Sequence, residues 1–477
     1  MKAFIHVLIS NLLIVILGVV QSFILPKLLG PYEYGKWSLY LLYISYAGLF
    51  SFGFCDGIYL KYGGINYNEL DFSRFSGYYY SHQIFTFVLF ILWSLFVVLF
   101  LNEKLFYILI GLTCFLSCNR DYFLAVNTAT NRLKIFSFGQ VIEKVTILIG
   151  VLLCLIYSAM RTAISMIIFA VIGWVLTYIF NIISDNKIVF KCPQQLYKPY
   201  KEYKDYIMSG LCITLASIGI SLMTGIGKFG INIMMGKEYL GYYSFIFSIS
   251  ALFLQFFNAI GTVFYPRFKN KNQSYTKFIM QKLDIFLTYI GILLILAYYP
   301  MRMFLNVFFP QYKHSFNCLI VLLPMVIIQG KMGIVYNTMY KIWRMEKELL
   351  KNLFLGVIIC LCMTVVAIAI SKTIISVAIA TYMSLVAWNV VTILNFNKNQ
   401  NEKWKYNIEE LLTVIFFIIV NYIFGFSLLS FLFSFFFIIF ILIIKRQTII
   451  KCVKELFYFI RHKNTLNEDM KKDSDSI

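Results

Sequence analysis

Charged side chains inside apolar stretches are the residues of this sequence best placed to do chemistry. Lys331 stands in VIIQGKMGIVYNT with apolar residues on both sides and Gln329 near it, and Lys228 closes a stretch rich in small and hydroxyl side chains. An ammonium within a membrane-crossing helix costs roughly 2.5–3.5 kcal/mol at the centre, so such a lysine needs a partner, a path to the interface or a ligand. Arg120 beside Asp121 in FLSCNRDYFLA is a third candidate, and Lys144 a fourth, on a strip where Glu143 and Lys144 follow Gln140 by three and four residues. Lysine and arginine form charge-assisted bonds to phosphate oxygens. Lys331, Lys228, Arg120 and Lys144 are therefore the expected contacts to an anionic group. Asp56, in SFGFCDGIYLKYG, and Glu143 are carboxylates that could take up a proton or sodium ion and couple transport to a gradient. Asp56 could equally pair with Lys61, Asp121 could neutralise Arg120, and Lys228 could snorkel to the interface.

These residues need helices to carry them. From Tyr206 to Lys269 the sequence holds two apolar spans joined by a short Gly-containing corner. On the first, Gly210, Thr214, Ser217, Ser221, Thr224 and Lys228 recur in steps of three and four. On the second, Ser248, Ala251, Gln255, Asn258 and Thr262 do the same. Such steps place each set on one helical stripe. The hydroxyls serve close packing between membrane helices, or they line a polar path in which Ser217, Ser221, Thr224, Gln255 and Asn258 touch a substrate.

The 477 residues are 60% hydrophobic and 13% charged, which excludes a soluble globular protein. Apolar runs long enough to cross a bilayer recur throughout, and strand-like alternation is absent, so the expected fold is all-α and membrane-integral. Fourteen spans are expected, the second running from Trp37 to Leu60 and the tenth from Phe316 to Tyr340. The formal charge of +20 is concentrated in loops on one side and in the tail. A Lys/Arg bias of roughly three to one between alternate loops places both termini in the cytoplasm by the positive-inside rule. The ten cysteines lie mostly inside apolar spans, without histidine or acidic neighbours at ligand spacing, and read as helix residues. Nucleotide-binding loops, metal-ligand clusters and nucleophile triads are not found in the sequence.

An internal repeat organises the chain. LLGPYEYGKWSLY (28–40) lies over MMGKEYLGYYSFI (234–246) without a gap at an offset of 206, matching Gly30 with Gly236, Gly35 with Gly241 and Ser38 with Ser244. The expected plan is an N-terminal lobe of six helices (1–184), an inter-lobe loop (185–205) and a second six-helix lobe (206–396). Two extra helices (397–446) and a basic tail (447–477) follow. Even-numbered copies share an orientation, as in transporters that rock two parallel repeats about a central site.

The G-P-x-E-Y-G-x-W-S corner, its echo G-K-E-Y-L-G-Y-Y-S, the F-F-P-Q-Y of residues 308–312 and the fourteen-span plan resemble the Wzx-type polysaccharide flippases. These belong to the multidrug/oligosaccharidyl-lipid/polysaccharide exporter superfamily and are related to MATE transporters. The resemblance implies a flippase in the bacterial cytoplasmic membrane, not an enzyme and without a cofactor. It would move undecaprenyl-pyrophosphate-linked oligosaccharide units through a cationic central cavity for capsule, O-antigen (lipopolysaccharide) or exopolysaccharide synthesis, alongside a polymerase and a chain-length regulator. A MATE-like exporter of small molecules would favour an acidic cavity instead, and a membrane glycan polymerase or ligase would need a sizeable outer loop.

Overall fold

The computed structural model describes residues 2–193, 200–268, 273–343, 345–400, 404 and 407–461. Every regular element among them is helical, as hydrocarbon demands when each backbone N–H and C=O must be satisfied within its own segment. The helices are α1 (Lys2–Ile44), α2 (Phe54–Tyr62), α3 (Phe72–Phe100), α4 (Lys104–Ala129), α5 (Leu133–Ile156) and α6 (Ala163–Ser184). They continue with α7 (Asn186–Val189), α8 (Tyr200–Met235), α9 (Lys237–Phe268), α10 (Gln273–Ile295), α11 (Tyr298–Phe308) and α12 (Leu319–Lys331). The last are α13 (Asn337–Ile342), α14 (Glu346–Ile370), α15 (Ile374–Gln400), α16 (Ile408–Phe424), α17 (Leu428–Ile444) and α18 (Arg446–Arg461). Among the described residues eight stretches are long and apolar enough to cross a bilayer, and two bent pairs raise this to ten.

Three expected boundaries move. The span expected from Trp37 to Leu60 is broken: α1 runs on to Ile44, a 3-10 turn covers Ala47–Ser51, and α2 restarts at a 60° bend. Two successive positive-φ residues, Phe52 (φ 46°) and Gly53 (φ 80°), make that bend. The tenth expected span is composite, since a 3-10 stretch (Pro310–Cys318) leads into α12 and five π-helical residues (Met332–Tyr336) separate it from α13. The tail is helical as far as Arg461: α18 turns 69° from α17, and its Glu455 pairs with Lys282 of α10 at 2.8 Å.

The chain forms two compact units, Met1–Ser248 with Cys360–Val377, and Ile249–Ile359 with Ala378–Ile477. Within the first, the two corners related by the 206-residue offset meet. Gly30 and Gly236 both take positive φ (71° and 93°). A Cβ on Gly35 would collide with the Lys237 carbonyl, and one on Gly241 with the Pro31 carbonyl. Pro31 and Lys237 are themselves 206 residues apart, so the contact is reciprocal. Glu33 of the same corner accepts the Ala163 N–H at 2.7 Å at the start of α6, where a carboxylate favours the positive helix end.

The first unit also holds an aromatic core. Tyr78 and Tyr79 are buried among Phe54, Tyr122, Phe123 and Tyr206. Their phenols are not wasted: Tyr78 Oη lies 3.1 Å from Tyr206 Oη, and Tyr79 Oη 2.7 Å from Tyr178 Oη. In the second unit α12 is buried on every side, the mark of a helix surrounded by protein.

Candidate functional site

The first unit encloses a cavity of about 730 Å³, within the usual size of ligand sites. Its walls come from the α1–α2 turn (Ser45, Ser51), from α2 (Asp56, Tyr59), from α4 (Ser117, Arg120, Asp121, Thr128), from α6 (Trp174) and from α8 (Thr214). The broken α1–α2 span makes this wall. The helix stops at Ile44 and restarts at Phe54, and residues between them and in the first turn of α2 line the cavity.

Among the described residues Arg120 is the only cation on these walls. Its NH1 donates to both Glu143 oxygens at 3.1 and 3.3 Å, and its NH2 and Nε reach Asp121 Oδ1 at 3.0 and 3.3 Å. The guanidinium also lies 4.4 Å from the centre of the Trp174 ring, a cation–π contact. Asp56 sits in the first turn of α2 and accepts a hydrogen bond from the Thr214 hydroxyl. Within the first unit these walls are acidic on balance among the described residues. One guanidinium, already held by carboxylates, stands with two acidic side chains, because Asp56 and Asp121 reach the cavity while the lysines do not.

The α8 stripe meets this region residue by residue. Gly210 lets its backbone lie against Gly53 and Gly57 of α2, where any Cβ would collide. Thr214 bonds Asp56 one turn on. The Ser221 carbonyl accepts from Tyr46 Oη at 2.9 Å, and Thr224 Oγ1 donates to the same carbonyl at 3.3 Å. Lys228 places its ammonium 4.0 Å from the Phe247 ring centre and pairs with no carboxylate among the described residues. Lys144 is half-buried, and its carbonyl accepts from Gln21 at 3.4 Å. The Ser217 and Asn258 side chains lie outside the described residues, and Gln255 is exposed in the second unit.

Lys331 has a different fate. In the second unit its ammonium donates to Glu410 Oε2 at 2.7 Å and Thr288 Oγ1 at 2.9 Å, and lies 3.3 Å from Asp284 Oδ1. Tyr336, in the π-helical turn, donates to Asp284 Oδ1 at 3.2 Å, and Asn407 donates to Asp284 Oδ2 at 3.0 Å. The structure thus closes Lys331 into an ion cluster joining α10, α12 and α16 within the second unit.

A family model for "Polysaccharide biosynthesis protein" matches residues 1–272. The chain belongs to this polysaccharide biosynthesis protein family. Among solved structures it is similar to "Lipid II flippase MurJ, inward closed conformation", with a TM-score of 0.69 at 16% identity over 93% of this chain and 100% of that one. It is similar also to a "multidrug resistance MATE family transporter of the MOP superfamily" in an inward-facing conformation, with a TM-score of 0.54 at 12% identity over 83% and 95% of the two chains. A "MATE in complex with MaL6" gives 0.54 at 11% identity over 82% and 94%. No curated protein matches by sequence. At these identities the likeness is one of fold: the chain is a multi-pass membrane protein with the architecture of those MurJ and MATE structures.

Four participants escape a reading of this family member's sequence. Glu410 follows Glu409 at the start of an apolar run and looks like a solvated helix start. Asp284 and Thr288 stand four apart on α10, a spacing that could have marked them. Trp174 gives no local signal in VIGWVLTYIF and acquires a role only because α6 lies beside α4.

Proposed function

We propose that this chain translocates a polyprenyl-pyrophosphate-linked oligosaccharide, of the undecaprenyl type, across the bacterial cytoplasmic membrane. Capsule, O-antigen or exopolysaccharide synthesis would consume the product, with both termini cytoplasmic and a polymerase and chain-length regulator acting downstream. The observation that carries this reading is a cavity of about 730 Å³ that sets charged and hydroxyl side chains among apolar ones, in a member of a polysaccharide biosynthesis family. A hydrophilic headgroup needs such shelter while its lipid tail stays in the bilayer. Arg120, Asp56 and Thr214 are the proposed substrate-facing groups, with Ser221, Thr224 and Lys228 further along α8. Asp56 and Glu143 are proposed to take up the coupling proton or sodium ion.

The acidic walls lend support to a second reading, a MATE-like exporter of small cations, since Asp56 and Asp121 would attract them. One experiment separates the two. A strain lacking the protein should accumulate lipid-linked repeat unit that a sugar-binding reagent added from outside fails to reach. Accumulation exposed to that reagent would place the defect after translocation, and lack of accumulation together with increased sensitivity to cationic drugs would favour the exporter.

A further inference from the structure

Resting on the flippase reading, we infer that the cavity of the first unit recognises the sugar portion of the substrate and not its pyrophosphate, and selects neutral or amino-bearing sugars over acidic ones. Three observations converge on this.

The first is charge. Asp56 and Asp121 stand on the wall, and the donors of Arg120 are engaged by Asp121 and Glu143. A pyrophosphate or uronate would have to displace those carboxylates while approaching Asp56, and like charges brought together at low dielectric repel strongly. A neutral sugar has no such cost. An ammonium-bearing sugar is attracted by the same two carboxylates.

The second is the supply of hydroxyls. Ser45, Ser51, Ser117, Thr128, Thr214 and Tyr59 all reach the cavity. A hydroxyl both donates and accepts, so a wall of hydroxyls and carboxylates matches the alternating donors and acceptors of a sugar ring. Tyr59, part-exposed on the wall, carries one of the more accessible of these hydroxyl-bearing side chains.

The third is an aromatic surface. Trp174 lies on the wall and Arg120 lies over its ring, which fixes the plane of the indole. The C–H face of a pyranose packs against such a ring without needing charge.

The test uses the full-length protein in lipid nanodiscs and three short-chain prenyl-pyrophosphate trisaccharides that differ only in one residue: neutral, amino-bearing or uronic acid. Binding is read from tryptophan fluorescence, with Trp174→Phe identifying the part that comes from the cavity. The neutral and amino-bearing compounds should bind about tenfold or more tightly than the uronate, a difference of about 1.4 kcal/mol. Inorganic pyrophosphate should leave the Trp174 signal unchanged. Asp56→Asn combined with Asp121→Asn should shrink the discrimination, and Tyr59→Phe should weaken the neutral compound several-fold. Equal or tighter binding of the uronate, or a Trp174 response to pyrophosphate alone, would overturn the inference and leave the flippase reading standing. Binding of none of the three would overturn both.

Discussion

Two cations in this protein are each held by two carboxylates, and they do different things. Arg120 with Asp121 and Glu143 keeps 13–23% of its side-chain surfaces exposed and borders a cavity. Lys331 with Asp284 and Glu410 keeps 1–3%. An ion pair open to a cavity can exchange its partners with whatever enters. A sealed one cannot, and its charges interact through a medium that screens them weakly. The comparison teaches that a lysine in an apolar run does not by itself mark a substrate path. Lys331 is the more conspicuous in the sequence and the more enclosed in the structure.

The largest expected effect comes from unbalancing the sealed cluster. Lys331→Met leaves Asp284 and Glu410 facing each other's charge without the ammonium, and the loss should be about 3–5 kcal/mol. Thermal unfolding of purified protein, or its level in the membrane, would show it, and any fall in surface polysaccharide should track that level. Arg120→Met should behave in the opposite way. It should remain folded, within about 1–2 kcal/mol of the parent, while transport falls. Equal destabilisation by the two substitutions would break the comparison.

A finer test removes charge from both sides of the sealed pair. Adding Glu410→Leu to Lys331→Met should recover a large part of the stability lost by the single change, because the uncompensated carboxylate goes with it. If the double variant is no more stable than Lys331→Met, the cluster is not acting through its charges. At the cavity, Asp56→Asn keeps an acceptor for Thr214 and should alter stability by less than about 1 kcal/mol, while changing how transport responds to an imposed proton or sodium gradient. The smallest effect is expected of Thr214→Val, about 0.6 kcal/mol as is usual for a hydrogen bond between membrane helices. Unfolding measurements on both variants would rank them.

Much of the frame was legible because it depends on local pattern. Apolar runs imply helices, and the glycines at a constant offset point to two corners alike in backbone conformation, as Gly30 and Gly236 are. The α8 stripe was legible as a stripe. What each member met was not: Gly210 serves the approach of α2, Thr214 serves Asp56, and Ser221 offers its carbonyl to Tyr46. Tyr78 and Tyr79 show the same limit. Tyrosines at a span end suit the membrane interface, yet here they face the aromatic core, because α2, α4 and α8 close over them.

By itself the sequence determined an all-helical membrane chain, its repeated corner and its likeness to a flippase family, since helical period, glycine conformation and apolar length are properties of neighbouring residues. Only the tertiary structure decided which charges meet. Arg120 finds Glu143 across 23 residues, Lys331 finds Glu410 across 79, and Thr214 finds Asp56 across 158. A helical period says which side of a helix a residue occupies. The energy of a charge depends on what lies against that side, and distant segments supply it.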